Sequence, residues 1–220
     1  MNKTAAIAEI NNEEVHYMFS TDTPMRANAF DIDDEMKIKI IAKHFEEIMQ
    51  VMGLDLDDDS LKGTPNRVAK MFIKEAFKGL NPANKPDARL FENKYKYNEM
   101  LVEKNITLYS YCEHHFVPII GKAHVAYISN GKVIGLSKIN RLVEYYSKRP
   151  QVQERLTIQI AQALKEALGS EDVAVFIDAV HLCVTSRGIN DTNSSTITTS
   201  FSGKFAEEKY KREFVDFIRL

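Results

Sequence analysis

Apolar residues in this chain first recur every three to four positions, then every two, and the changes of period mark its elements. Ile38, Ile41, Phe45, Ile48 and Met52 lie on one helix face. They follow the carboxylates of Asp31–Asp34 and precede Gly53, which predicts a helix with an acidic start and a glycine stop. The acidic run Asp55–Asp59 reads as a solvated loop. Thr64-Pro65 predicts a second helix, with Thr64 as its cap and proline at the first helical position. Val68, Phe72 and Ala76 supply its apolar face and Gly79 its end. Asn81–Asp87, with two prolines, reads as a linker.

From Ile106 the period falls to two. Ile106, Leu108 and Ser110 alternate with Thr107, Tyr109 and Tyr111, predicting a strand that runs into Tyr111-Cys112-Glu113-His114-His115-Phe116. Lys122–Ser129 and Lys132–Leu136 flank Asn130-Gly131 and predict a hairpin. Next comes a helix capped by Ser137 and reaching about Ser147, with Ile139, Leu142 and Val143 inward. Past Pro150 a longer helix, about Val152 to Leu168, carries Leu156, Ile160 and Leu164 and ends at Gly169. Val173–Val184 predicts a branched-residue strand, and Thr196–Phe201 another before a polar helical tail. This order predicts an α+β fold, an antiparallel sheet with the paired helices on one face. Residues 1–30 lack such patterning and are expected to form a mobile arm. Residues 31–90 are expected to form a helical part, and 91–220 the sheet-bearing domain.

Composition narrows the function. The 220 residues are 44% hydrophobic and 27% charged, as in soluble globular proteins. No apolar run approaches a membrane span and no secretory signal opens the chain, so no membrane association is expected. With 29 basic and 31 acidic residues the net charge is −2. That balance argues against general nucleic-acid binding and leaves any anion to a few placed cations. Two cysteines are too few for a disulfide framework and fit a reducing, cytoplasmic setting.

Each of those cysteines, Cys112 and Cys183, has histidine beside it. Thiolate and imidazole are the ligands zinc prefers. Cys112 and His115 are three apart, within reach of one turn; His181 and Cys183 are two apart, on one face of a strand. Cys112, His115 and Cys183 are therefore candidate zinc ligands, with His114 and His181 left over. A fourth protein ligand would make the site structural; an open position would acidify a water beside a free imidazole. A zinc deaminase would carry its two cysteines in one Cys-x-x-Cys, which is absent.

Ser137, Lys138 and Arg141 open a helix, where backbone N–H groups and two cations suit phosphate, and Arg187 follows Cys183 closely. Gln153-Glu154 opens the next helix. A carboxylate there can accept the two parallel N–H bonds that guanine offers and adenine does not. Arg67 and Lys70, three apart, read by themselves as a solvated helix face.

Four segments together resemble the GTP cyclohydrolase I family: Cys112-Glu113-His114-His115-Phe116, Val133-Ile134-Gly135-Leu136-Ser137-Lys138-Ile139-Asn140-Arg141, Arg149-Pro150-Gln151-Val152-Gln153-Glu154-Arg155-Leu156, and His181-x-Cys183. The resemblance runs from about Thr64 to Ser202. It implies the tunnelling fold, with residues 91–220 as its catalytic domain, and subunit sheets joined into the barrel of a toroidal homodecamer with sites at subunit interfaces. It implies Zn2+ on Cys112, His115 and Cys183, and proton transfer by His114 and His181. Glu154, with Gln153 and backbone near Ile134 and Leu136, would read guanine. Ser137, Lys138, Arg141 and Arg187 would hold the triphosphate, joined by Arg67 and Lys70 from a neighbouring subunit. The implied reaction is attack of zinc-bound water on C8 of GTP while His114 protonates the imidazole ring, then release of formate. His181 would assist opening of the ribose, with Ser137 placed to help the rearrangement, and reclosure would yield 7,8-dihydroneopterin triphosphate. A non-catalytic binding protein with a structural zinc, or a nucleobase or pterin deaminase, would be the alternatives.

Overall fold

A computed structural model describes residues 22–220; the first twenty-one residues of the expected arm lie outside the described residues. Helix α1 covers Asp34–Val51, and its cap Asp33 accepts the Met36 N–H at 2.7 Å. Of its predicted apolar face Ile38 is buried, whereas Ile48 and Met52 are 51% and 67% exposed. Helix α2, Thr64–Met71, packs against α1. Here the sequence reading needs two corrections. Gly63 is the N-cap and Thr64 is already helical, because its hydroxyl is turned to the Arg67 guanidinium at 3.0 Å instead of to the backbone. The helix also widens into a π turn over Phe72–Ala76, which swings Phe72 and Phe77 together at 5.3 Å.

Strands β1 (Leu90–Glu92), β2 (Met100–Cys112), β3 (Pro118–Ile128) and β4 (Lys132–Ile134) follow. After them come α3 (Leu136–Ser147), β5 (Pro150–Gln151) and α4 (Gln153–Leu168). The chain closes with β6 (Val173–His181), a helical turn α5 (Leu182–Thr185), β7 (Thr196–Phe201) and α6 (Glu208–Arg219). The main sheet has the order β5-β2-β3-β6-β7 and is antiparallel except where β5 joins β2. The predicted hairpin is not a ladder. Gly131 turns the chain at φ 110, but β4 leaves β3 and pairs with β1. Ser137 is likewise not a cap; Gly135 holds that position without a side-chain bond.

The core lies between α3/α4 and one sheet face. Leu108, Ile119, Val125, Val175 and Ile177 meet Ile139, Val143, Leu156, Ile160 and Leu164, all fully or nearly fully buried. Each such side chain contributes roughly 1.5–3 kcal/mol by leaving water. The second face is covered at one end by α6, where Phe214 and Phe205 pack on Met100, Ala126 and Ala174. This is the predicted α+β architecture, a sheet with a helix pair on one face. Among the described residues no helix is long and apolar enough to cross a membrane.

Candidate metal and catalytic site

Strand β2 ends at Cys112, and the chain turns back at once. Phe116 N–H donates to Cys112 O and Cys112 N–H to Val117 O, both at 2.8 Å. Phe116 sits at φ 54, a left-handed conformation that a bulky residue adopts only when its surroundings hold it. Its ring packs on Phe77 at 5.0 Å and Phe72 at 6.2 Å, which ties the turn to the N-terminal helices. On the other side Glu113 pairs with Arg155, whose Nε donates to Gln151 Oε1 at 3.1 Å. The buried Gln151 amide in turn donates to Tyr146 O and Gln159 Oε1. Arg155 and Gln151 were only motif letters in the sequence; their role as struts needs the fold to be seen.

The register then brings in the second half. Pro118 begins β3 directly after the turn, and Ile119 lies opposite His181 at the end of β6. Cys183 is not on that strand, as the sequence reading had it. The strand stops at His181, and α5 lifts Cys183 towards the turn. One donor atom each from Cys112, His115 and Cys183 then lies within 4.8 Å of the others, and this is the one such cluster among the described residues. Two sulfurs and an imidazole at that spacing fit zinc, with a position left for water. Nδ1 of His115 faces Cys112 Sγ at 3.8 Å while Nε2 meets Arg187 Nη1 at 2.9 Å. Burial and the adjacent Cys112 thiol push the Cys183 thiol above its usual range, so a cation is what would favour its thiolate. Sulfurs this close should also join when metal is removed. Aerated, chelated protein is expected to lose two hydrogens by mass spectrometry and regain them with reductant; an unchanged mass would contradict the approach.

His114 lies outside the cluster, 64% exposed, with Nδ1 at 3.7 Å from Cys112 Sγ and Nε2 at 3.9 Å from Glu113. His181 is anchored, its Nε2 at 2.7 Å from Gln153 Oε1. Burial lowers its pKa, and the charge of nearby Glu154, exposed on the first turn of α4, opposes that shift. Cys112, His114, His115, Gln153, Glu154, His181, Cys183 and Arg187 are thus brought to one end of the sheet.

Other candidates are not. Ile134 N–H donates to the Tyr127 hydroxyl, at the far end of β3. Ile119 and Tyr127 are eight positions apart on that strand, roughly 26 Å at about 3.3 Å per residue. Leu136, Ser137 and Lys138 follow Ile134 at the start of α3. Arg141, one turn on, lines a cavity with Asn105, Thr107 and Glu144 along the flank of β2. Arg67 is folded back, donating to Ser60 O at 2.9 Å, and Lys70 is exposed on α2.

A mostly antiparallel sheet backed by two helices, with a three-donor cluster where two strands end, defines an α+β protein with a candidate metal centre. Residues 41–219 match the family described as GTP cyclohydrolase I, and the chain belongs to that family. It is 64% identical over 218 residues to GTP cyclohydrolase 1 of Flavobacterium johnsoniae, covering 96% of this chain and 98% of that protein. It is 53% identical over 199 residues to the proteins of that name in Erwinia tasmaniensis and Salmonella arizonae, covering 90% of each chain. Its activity is that of a GTP cyclohydrolase. Among solved structures, the apo form of an archaeosine synthase QueF-Like has 18% identity and a TM-score of 0.40, over 47% of this chain and 93% of its own.

Proposed function

We propose that this chain is a zinc-dependent hydrolase that opens GTP at C8, releases formate and forms 7,8-dihydroneopterin triphosphate, the first step of pterin and folate synthesis. The observation that carries the reading is the convergence of Cys112, His115 and Cys183 with two histidines outside the cluster. When bound, zinc supplies Lewis acidity that brings the pKa of a water near neutrality. His114, exposed beside the cluster, gives its proton to the purine's imidazole nitrogen as C8 is attacked. Glu154 accepts guanine's paired N–H groups beside backbone from Ile134 and Leu136. His181 exchanges a proton with the ribose, with Ser137 near the rearranging sugar. Ser137, Lys138, Arg141 and Arg187 hold the triphosphate.

These parts lie at opposite ends of one sheet, which supports sites completed between copies in a homodecamer, with Arg67 and Lys70 from a neighbouring subunit. Two further features favour such an assembly. Among the described residues, β5 covers only Tyr111 and Cys112 of β2, and no strand pairs with the outer edge of β7. Helix α1 presents Met36, Ile40, Ile48, Val51 and Met52 outward. We assign residues 31–90 to a helical part, residues 91–220 to the catalytic domain, and the protein to the cytoplasm.

Incubation with GTP is expected to give a new pterin absorbance and one formate per GTP, both abolished by chelator and restored by zinc. Ammonia without formate would identify a deaminase; neither product would leave a binding protein. Glu154→Gln is expected to weaken GTP binding roughly ten- to a hundredfold, because an acceptor oxygen becomes a donor facing an N–H. Unchanged affinity would remove Glu154 from purine recognition.

A further inference from the structure

We infer that Gln153 is a positioning residue that fixes the hydrogen of His181 on Nε2, and that Thr198 and Thr157 hold Gln153 in that role. This rests on the reading of the site as a GTP-opening centre. Gln153 is 1% exposed, at the first turn of α4. Its amide nitrogen is ringed by Thr196 O at 2.8 Å, Thr198 Oγ1 at 3.1 Å and Ile177 O at 3.3 Å. Two of those are carbonyls, which only accept. Turning the amide over would set its oxygen against both, so its orientation is chemically determined. The oxygen therefore faces His181 Nε2, at 2.7 Å. An amide oxygen cannot donate, so Nε2 must carry the hydrogen, and the neutral ring keeps its lone pair on Nδ1.

The hydroxyls complete the same sense of donation. Thr157 Oγ1 donates to Gln153 O at 2.9 Å, and its oxygen lies 2.7 Å from Thr198 Oγ1. With the Thr157 hydrogen spent, Thr198 donates to Thr157 and accepts from the Gln153 amide. Residues of α4, β6 and β7 thus act together on one imidazole. Both amide hydrogens of Gln153 are engaged, so reading guanine falls to Glu154. Any proton that His181 exchanges with substrate passes through Nδ1.

Gln153→Met keeps the length of the side chain and deletes the acceptor. In the zinc-loaded enzyme, kcat for formate release is expected to fall about 10²-fold, with KM for GTP within about twofold of wild type and zinc content unchanged. Thr198→Val, isosteric and only partly buried, is expected to lower kcat about three- to tenfold with the same KM; it carries the test should Gln153→Met not fold. In 15N-histidine-labelled protein, His181 is expected to show the Nε2–H tautomer and to lose that preference in Gln153→Met. A raised KM at unchanged kcat would overturn the inference in favour of purine reading. Loss of zinc together with kcat, or an unaltered His181 signal, would overturn it as well. Absence of formate from the wild-type enzyme would instead sink the functional reading, and the His181 signal would still decide the tautomer.

Discussion

His114→Ala is expected to lower formate release from GTP by about 10²- to 10⁴-fold while leaving metal content at the wild-type level, the range that a positioned general acid contributes. The two adjacent histidines differ in how they are held. His115 has one ring nitrogen towards Cys112 and the other against Arg187, within the three-donor cluster. His114 also turns a ring nitrogen to Cys112, its Nδ1 3.7 Å from the sulfur. It is mostly exposed, however, lies outside that cluster, and has Glu113 rather than Arg187 near its Nε2, at 3.9 Å. A residue so placed can reorient as a purine ring opens, which a ligand cannot do. His115→Ala is the contrasting case and is expected to remove metal and activity together. Zinc analysis and a formate assay on both variants decide the matter. Loss of zinc from His114→Ala would make that residue a ligand and reverse the assignment.

What could be read from the chain beforehand depended on whether a feature is local. Helix α4 was legible because Leu156, Ile160 and Leu164 repeat on one face and Gly169 closes it in the left-handed region at φ 60. The strand into Cys112 was legible because Ile106, Leu108 and Ser110 are all buried on one side. The candidate donors were legible from residue type and, for Cys112 and His115, from their spacing; the strand face expected to present Cys183 is not what presents it. Pairings chosen by tertiary contact were not. Asn130-Gly131 carries the local chemistry of a hairpin, yet β4 is drawn to β1, where Leu90 faces Ile134. Branched residues run on to Val184, but the strand ends at His181, since Cys183 must rise towards the turn. For Gln153 the residue was visible, while the oxygens that orient its amide come from β6 and β7, some 24 to 45 positions along the chain. Similarly, nothing in the spacing of Ser137 and Lys138 reveals that β3 separates them from the metal donors.

Gly121→Ala is expected to damage both stability and metal binding. Gly121 lies opposite Ala179 in the β3–β6 ladder. A Cβ there would stand 2.1 Å from Asp178 O and 2.5 Å from the Ala179 Cα. Those are backbone atoms within a continuous ladder, so no side chain can swing aside, and relief requires the strands to part. The cost is expected to be at least about 4 kcal/mol, beyond ordinary substitutions. For a chain of this size that corresponds to a fall in Tm of roughly 8–16 °C. Two positions along the same ladder, Ile119 faces His181, and the turns bearing Cys112 and Cys183 spring from those ends. Opening the strands should therefore draw the two sulfurs apart and loosen the grip on zinc. Thermal unfolding with a parallel zinc titration measures both effects. A wild-type Tm would show that the ladder has room for a methyl, and lowered stability with undiminished zinc affinity would uncouple the sheet register from the metal site.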